Sequence, residues 1–382
     1  MERLESVNIE RIKWCCADTG ITIDELAHEI GLSQAALKFL LNGEGGLTFN
    51  QLRSIAEHFG RGVLFFLEPT PVNSESFHSP QFRTLANQKP EISSKLKAFI
   101  ERVEKQRDVY LSLREDLDAT SRPTFTPPNI DGLSIEQAAS ATRQWLGLSE
   151  NNSFDSYREA IEAKGILVFR SNGYNGKWQI AKENPILGFA LYDQVCPVIV
   201  VKKQSWETQQ CFTLMHELGH VLLHKVSSID DVNDMYSAQG MEQEANAFAG
   251  YLLVPNFLLN SIRDDERPID IALFEHWLER QKNSWGTSAE VILRRLMDVG
   301  RLDVRVYQAY RTWRDQQVYP EGDGGSRAYR NREPKHVFGD VFVKTVFDAL
   351  YARNITLNKA SDYLDRLKIK DLRKLEQYYA GL

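Results

Sequence analysis

The sequence has few cysteines and lacks any long apolar run. It contains 4 Cys in 382 residues, too few to make a disulfide scaffold, and no two of them show the CxxC spacing. No apolar stretch approaches the roughly 20 residues that a membrane-crossing helix needs. The first residues, MERLESVNIERIKW, lack the apolar segment of a secretory signal. These absences predict a cytoplasmic protein in a reducing compartment, without a membrane partner.

Basic residues are fewer than acidic residues. The chain has 46 Lys+Arg against 52 Asp+Glu and a net charge of −6, which excludes a generally basic nucleic-acid binder. Residues 1–70 hold six basic and ten acidic residues, so −4 of that charge lies there. Because phosphate contacts supply most non-specific affinity for DNA, this region would need dimerisation or a partner to bind DNA.

Residues 1–70 are nevertheless predicted to form the short helices of a helix-turn-helix domain. Thr22 and Glu25 have the spacing of a capping box before a helix over 23–30, and a second helix is expected over 34–41. In that arrangement residues 20–60 would contact DNA through Ser33, Gln34, Lys38 and Asn42. None of these is an arginine that could bind guanine with two hydrogen bonds. A helical protein-interaction module without DNA affinity is therefore the alternative.

Proline-rich stretches divide the rest of the chain. The linker after residue 70 carries a long amphipathic helix over 96–117, which packs either on its own protein or on a partner, including a second copy in a homodimer. The segment SRPTFTPP at 121–128 ends this linker. The predicted parts are residues 1–70, 71–122, 123–300 and 301–382.

Residues 123–300 mix helical periodicity with strand patterns. Strands are predicted at 165–171, 186–191 and 197–202, among helices that include 206–223 and 241–253. Residues 301–382 are expected to form a helical tail after a Gly- and Arg-rich loop at 320–335. The fold class predicted from these patterns is mainly α with a small β-sheet: an all-α helix-turn-helix domain, a helical linker, an α+β domain and a helical C-terminal tail.

The strongest chemical signal is FTLMHELGH at 212–220. On an α-helix His216 and His220 lie one turn apart on the same face, so both imidazoles can bind one metal ion. Glu217 points beside that face, where it can take a proton from a water activated by Zn²⁺. The alternative is a buried pair of histidines in an ordinary helix.

A catalytic zinc usually has three protein ligands, so a third is needed. If the helix continues, His224 lies roughly 12 Å along the axis from His216, too far to share an ion. The segment MEQEANAFA at 241–249 offers Glu242 as a ligand and, one turn later, Asn246 as a hydrogen-bond partner of a histidine ring. Glu244, on a different face of that helix, is the alternative ligand.

These two segments resemble the ImmA/IrrE metallopeptidases, a gluzincin-type group of bacterial and phage proteins. The family carries HExxH on one helix and E-x-x-A-N/D-x-F-A on another, which ends in LL and a later Pro. The matching positions are His216, Glu217, His220, Glu242, Ala245, Asn246, Phe248 and Pro255. The resemblance covers roughly residues 130–300. It implies a gluzincin-like domain in which the two histidines and Glu242 hold Zn²⁺ and Glu217 is the general base.

Residues 1–70 resemble the lambda-repressor-like (Xre) helix-turn-helix domains. The matching positions are Leu26-Ala27, Ile30–Ser33, Leu37, Asn42–Glu44 and Leu52. The two resemblances together imply a zinc-dependent endopeptidase, linked to transcription, that cleaves a partner protein such as a helix-turn-helix repressor. The alternative is a non-cleaving antitoxin or DNA-binding regulator of a toxin–antitoxin or phage-defence locus, whose peptidase-like domain binds a toxin or antitoxin partner.

The substrate is predicted to lie along a sheet edge, by β-augmentation. We expect that edge at 187–192 or 197–201. Tyr192 and Tyr236 are candidates to stabilise the oxyanion. The basic residues of the 320–335 loop could bind an acidic partner or a phosphate, with a solvated loop as the alternative; these residues are Arg327, Arg330, Arg332 and Lys335.

Overall fold

A computed structural model describes most of the chain. The described residues are 3–4, 7–19, 21–33, 46–59, 61–72, 85, 88, 93–117, 123–173, 176–237, 239–317 and 327–381. They divide into two compact units, Met1–Lys105 and Gln106–Leu382. Among these residues no helix is long and apolar enough to span a bilayer. The division into four parts predicted from composition stays a prediction.

The first unit consists of short capped helices and a minimal strand pair. Its elements are β1 (Arg3–Leu4), α1 (Ile9–Thr19), α2 (Ile23–Ile30), β2 (Leu47–Thr48), α3 (Phe49–His58) and a 3₁₀ helix (Val63–Phe66). The capping box predicted for α2 is confirmed, because Glu25 N–H donates to Thr22 Oγ1 over 3.2 Å and Thr22 N–H donates to Glu25 Oε2 over 2.7 Å. The antiparallel pairing of β1 with β2 was not predicted.

The core of this unit is apolar, with its main members fully buried: Ile12, Leu26, Leu52, Ile55 and Phe66. The long helix α4 (Ser94–Asp116) follows. Three of its apolar residues, Phe99, Val103 and Tyr110, are at most 1% exposed. These three side chains are therefore buried, and the part of α4 in a homodimer stays a prediction.

The second unit contains a four-stranded sheet in the order β3-β5-β4-β6. The strands are β3 (Leu167–Arg170), β4 (Ile186–Leu191), β5 (Val198–Val201) and β6 (Ser228–Asp231). β3 pairs with β5 in parallel, while β4 pairs in antiparallel fashion with both β5 and β6. The three predicted strands are confirmed and β6 was missed. Because β4 and β5 are both interior strands, the prediction that either offers a free edge to a substrate is wrong.

The rest of the second unit is mainly helical. Its helices are α5 (Ile135–Leu146), α6 (Phe154–Glu162), α7 (Glu207–Gly219), α8 (Gly240–Leu253), α9 (Asn256–Leu259), α10 (Phe274–Trp277), α11 (Glu279–Trp285), α12 (Ala289–Asp298), α13 (Val304–Asp315), α14 (Glu333–Tyr351), α15 (Leu357–Tyr363) and α16 (Ile369–Tyr379). The mainly α fold class with a small sheet is confirmed. Residues 327–335, predicted as loop, instead form a 3₁₀ helix (Arg327–Arg332) and the start of α14.

Helices α7 and α8 pack closely against each other. A Cβ built on Gly219 of α7 would lie 3.3 Å from both Ala245 Cα and Phe248 Cδ1 of α8. Small residues at this contact let the two backbones approach, which brings the side chains of both motif helices to one place. Helix α7 also packs on β4 and β5, so the sheet supports the site from beneath.

Candidate metal centre

His216 of α7 and His220, which directly follows α7, meet at their Nε2 atoms. His216 is fully buried and His220 is 1% exposed. Their Nε2 atoms lie 3.1 Å apart, because residues one helical turn apart share a face. The α-helical hydrogen bonding ends at Gly219, and a π-helix (His220–His224) follows. The predicted helix over 206–223 therefore continues past Gly219, but its hydrogen-bonding pattern changes from α to π at His220.

Two carboxylates approach the same two nitrogen atoms. Glu242 Oε2, from α8, lies 3.2 Å from His216 Nε2 and 3.3 Å from His220 Nε2. Asp230 Oδ2, from β6, lies 3.8 and 3.6 Å from those nitrogen atoms. The sequence pointed to Glu242 through its motif but did not point to Asp230. The available signal was an acidic run between the two motif helices, in a strand too short to be recognised.

This donor set fits a divalent metal ion. One ligand atom from each of His216, His220, Asp230 and Glu242 lies within 4.8 Å of the others. Asp230 Oδ2 and Glu242 Oε2 are buried without a hydrogen-bond partner. Among the described residues no lysine or arginine forms an ion pair with either carboxylate. Buried charges need a partner, and a dication among these donors would neutralise both.

The pKa shifts of the donor residues agree with this assignment. Burial alone would lower the pKa of His216, but the adjacent carboxylates of Asp230 and Glu242 outweigh it and raise that pKa to about 9. Burial would likewise raise the pKa of Glu242, and the two histidines reverse that effect and bring it well below its usual range. The carboxylates thus favour positive charge at the His216 ring, which a bound cation would supply.

Glu217 lies beside these donors and is fully buried. Its Oε2 accepts a hydrogen bond from Ser228 Oγ over 3.1 Å, whereas its Oε1 is buried without a hydrogen-bond partner. Burial, reinforced by the charge of Asp230, raises the pKa of Glu217 well above its usual value. A carboxyl group with a raised pKa can hold a proton near neutral pH, as a general base must do.

Asn246 orients the first histidine ring. Its Nδ2 donates to the carbonyl oxygen of Asp234 over 2.9 Å, which leaves Oδ1 facing His216 Nδ1 at 2.9 Å. The amide oxygen can only accept, so the proton belongs on His216 Nδ1 and the lone pair on Nε2. This is the arrangement that a metal-binding histidine requires, and it is the contact that the sequence predicted for Asn246.

We expect Asn246→Ala to weaken metal binding, because the His216 ring would lose the acceptor that fixes its tautomer. Loss of such a partner lowers metal affinity by about 10–100-fold. Competition with a chromogenic chelator measures the Zn²⁺ dissociation constant. Gln243→Ala, an exposed position on the same helix, is the matched control and should bind Zn²⁺ as the wild type does. Equal affinities for the two variants would contradict this role of Asn246.

His220 also has a side-chain partner at its Nδ1 atom, and a second contact follows from that partner to Glu244. His224 Nδ1 lies 3.0 Å from His220 Nδ1, and His224 Nε2 lies 3.1 Å from Glu244 Oε2. If His220 donates from Nδ1 and His224 donates to Glu244, the lone pair of His220 Nε2 faces the centre. The structure therefore brings Glu242 to the two Nε2 atoms and Glu244, the alternative ligand, to His224.

The remaining predicted site residues are less informative. Tyr192 packs half-buried against the core, and Tyr236 is exposed with its hydroxyl oxygen 3.5 Å from Arg314 Nη2. Ser33 is exposed at the end of α2. The other three predicted DNA-contacting residues lie outside the described residues: Gln34, Lys38 and Asn42.

Two family models match the chain. Residues 161–297 match the IrrE N-terminal-like domain, which spans the sheet, both motif helices and all four donors. Residues 12–66 match a helix-turn-helix domain. Both resemblances predicted from the sequence are confirmed by these matches.

Two individual proteins are also similar to the chain. An "uncharacterized immunity region protein 2" of Bacillus phage phi105 is 30% identical over 95 residues, which are 24% of this chain and 59% of the phage protein. The chain thus matches only part of that relative's length. The crystal structure of ComR from Streptococcus suis aligns over 97% of both chains, at 13% identity and a TM-score of 0.15. That score is too low to inform the fold.

Proposed function

We propose that this chain, which combines an IrrE N-terminal-like domain with a helix-turn-helix domain, is a zinc-dependent endopeptidase that cleaves a protein partner. The observation that carries the proposal is the convergence of His216, His220 and Glu242 on one point. The buried, unpartnered Oε1 of Glu217 supports it further, since it provides a base beside that point.

The donor set suits catalytic zinc in its chemistry. The ligands would be the Nε2 atoms of His216 and His220 and a carboxylate oxygen of Glu242, the two-histidine, one-glutamate set of many zinc peptidases. Zn²⁺ bound there would polarise the scissile carbonyl and lower the pKa of water at the site to about 7. The links from His216 to Asn246 and from His220 to His224 would hold both rings in the tautomer that binds metal.

Glu217 would move the protons of the reaction. It would take a proton from the attacking water and deliver that proton to the amide nitrogen that leaves. Its raised pKa suits both steps, because a carboxylate of ordinary pKa is a weak base near neutral pH. The hydrogen bond from Ser228 Oγ to Oε2 would keep the other oxygen, Oε1, available to the water.

The substrate we propose is another helix-turn-helix protein, such as a repressor. The similarity to a phage immunity region protein supports a regulatory setting. The charge of −4 on residues 1–70 favours a protein contact over strong DNA binding for this chain's own helix-turn-helix domain. DNA binding through residues 20–60, and a toxin or antitoxin as the partner, are further proposals of the same kind.

Metal dependence tests the proposal. The full chain is incubated with excess Zn²⁺ and a candidate helix-turn-helix repressor from the same genome, and intact-mass spectrometry follows the repressor for hours. We expect two fragments whose masses sum to the substrate plus one water. Treatment with 1,10-phenanthroline should stop their formation, and added Zn²⁺ should restore it. A repressor that binds the chain but stays intact under all these conditions would favour the non-cleaving regulator instead.

A further inference from the structure

We propose that Asp230 is a fourth protein ligand of the metal centre and closes it in the free protein, so that cleavage requires Asp230 to withdraw. The inference rests on the zinc site proposed above. It adds a metal ligand that lies outside both motif helices. It also implies that the free protein cannot cleave until Asp230 leaves the metal. Asp230 comes from β6, the terminal strand of the four-stranded sheet.

Five of the six distances between donors lie within about 0.2 Å of those expected in a tetrahedral site. Zinc ligands at about 2.0–2.2 Å from the ion in a tetrahedron lie roughly 3.3–3.6 Å from one another. The triangle of His216 Nε2, His220 Nε2 and Glu242 Oε2 has sides of 3.1, 3.2 and 3.3 Å. Asp230 Oδ2 lies 3.8 and 3.6 Å from the two nitrogen atoms. Asp230 therefore stands close to where a fourth ligand would be.

The environment of Asp230 gives a second reason. Its side chain is 2% exposed, and its Oδ2 has no hydrogen-bond partner. An unpaired buried carboxylate costs several kcal/mol of folding free energy unless a cation compensates it. Among the described residues Asp230 forms no ion pair with lysine or arginine, and its ion-pair contacts are with His216 and His220. Histidines that bind a metal through Nε2 give up the proton at that atom, so a bound dication would then be the charge that compensates Asp230.

A fourth protein ligand would change what the site can do. Zinc sites with four protein ligands are closed and structural, whereas catalytic sites keep one position for water. With Asp230 bound, Glu217 would have no activated water from which to take a proton. The β4–β6 register is irregular between Ile186 and Gly188, opposite Asp231 and Asp230. Movement of a terminal strand at such a point leaves the pairing of the other three strands intact.

Zinc affinity provides the first test. Asp230→Asn keeps the size of the side chain but loses its charge. Loss of even an indirect partner of a metal ligand weakens binding by about 10–100-fold, so we expect a loss of at least about tenfold here. Asp231→Asn, on the same strand, is the matched control, since its amide oxygen can still accept from Asn233 N–H. Asp230→Asn with wild-type affinity would overturn the proposal and leave Asp230 as a neighbour of Glu217 only.

The second test takes its main reading from the wild-type protein. Co²⁺ is loaded in place of Zn²⁺, and its visible absorption spectrum is followed while azide is added. A closed site has no position for azide, so the wild-type spectrum should stay unchanged. The spectra of Asp230→Asn and Asp230→Ala should shift with azide. A wild-type cobalt spectrum that responds to azide as these variants do would overturn the closed site.

Cleavage then separates this inference from the proposed function. Asp230→Asn should bind zinc more weakly and yet cut the repressor faster than the wild type at saturating Zn²⁺. A residue that only supported the fold would lower both quantities, and that result would overturn the proposal. If neither protein cuts, the endopeptidase proposal fails, while the zinc and azide results still decide whether Asp230 is a ligand.

Discussion

Glu217→Gln should lower the rate of repressor cleavage by about 10²–10⁴-fold, the usual contribution of a general acid–base group. Glutamine has the shape of glutamate but cannot take a proton from water. The Nε2 atoms of His216 and His220 and the carboxylate of Glu242 are untouched, so Zn²⁺ affinity should stay that of the wild type. Cleavage is measured by intact mass, and affinity by competition with a chelator.

Two comparisons make this result specific. Glu207→Gln changes a carboxylate on the same helix that accepts a hydrogen bond from Phe154 N–H, and it should leave the cleavage rate unchanged. The alternative, a regulator that never cleaves, expects Glu217→Gln to behave as the wild type in every assay of partner binding and gene regulation. Regulation that survives the substitution would therefore count against proteolysis as the biological activity.

The stability of the metal-free protein should also respond to Glu217→Gln. Burial raises the pKa of Glu217 above the unfolded value of 4.5, so between those two values the folded chain binds more protons than the unfolded chain. Stability that depends on this group is therefore lost as pH rises through the window. The metal-free glutamine variant should unfold at a higher temperature than the wild type above the window, and the difference should shrink at lower pH.

Features that depend on local sequence were predictable. The spacing of His216 and His220 fixes their shared face through helix periodicity alone, and the capping boxes at Thr22 and Thr48 each join residues only three positions apart. The second motif likewise carried Glu242 and Asn246 on one face of α8. Such signals need no knowledge of the remainder of the fold, which explains why the fold class and the two motif helices were foreseen.

Features that depend on strand pairing were not predictable. Asp230 reaches the centre only because β6 pairs with β4, and β6 is four residues long. The sequence indicates three strands but not their order, so the predicted edge at β4 or β5 is wrong, since both strands lie inside the sheet. The change of winding after Gly219 was also missed, and with it the contact of His224 with His220. The strand order and the position of Asp230 require distant chain segments, whereas the change of winding is local and is not indicated by α-helical periodicity.

Gly188→Ala should lower both the stability of the protein and the rate of cleavage. Gly188 lies on β4 directly opposite Asp230, and a Cβ there would lie 2.7 Å from both Glu217 Oε1 and Thr213 Cγ2. Overpacking of this kind costs about 1–3 kcal/mol of stability. It would also displace the Glu217 carboxylate, and a misplacement of about 1 Å can lower a catalytic rate by roughly 100-fold. Thermal unfolding and the cleavage assay measure the two effects.

A second substitution can separate these effects. Thr213→Ser removes the methyl group that the new Cβ would meet and keeps the hydroxyl that donates to Gln209 O. In the double variant we expect stability to recover in part while cleavage stays low, because the contact with Glu217 Oε1 persists. Gly176→Ala, where a Cβ meets no atom within 4 Å, should match the wild type. Full recovery of cleavage by Thr213→Ser would mean that the position of Glu217 does not depend on Gly188. Glycine at position 188 would then be needed for the packing of α7 on the sheet and not for the position of Glu217.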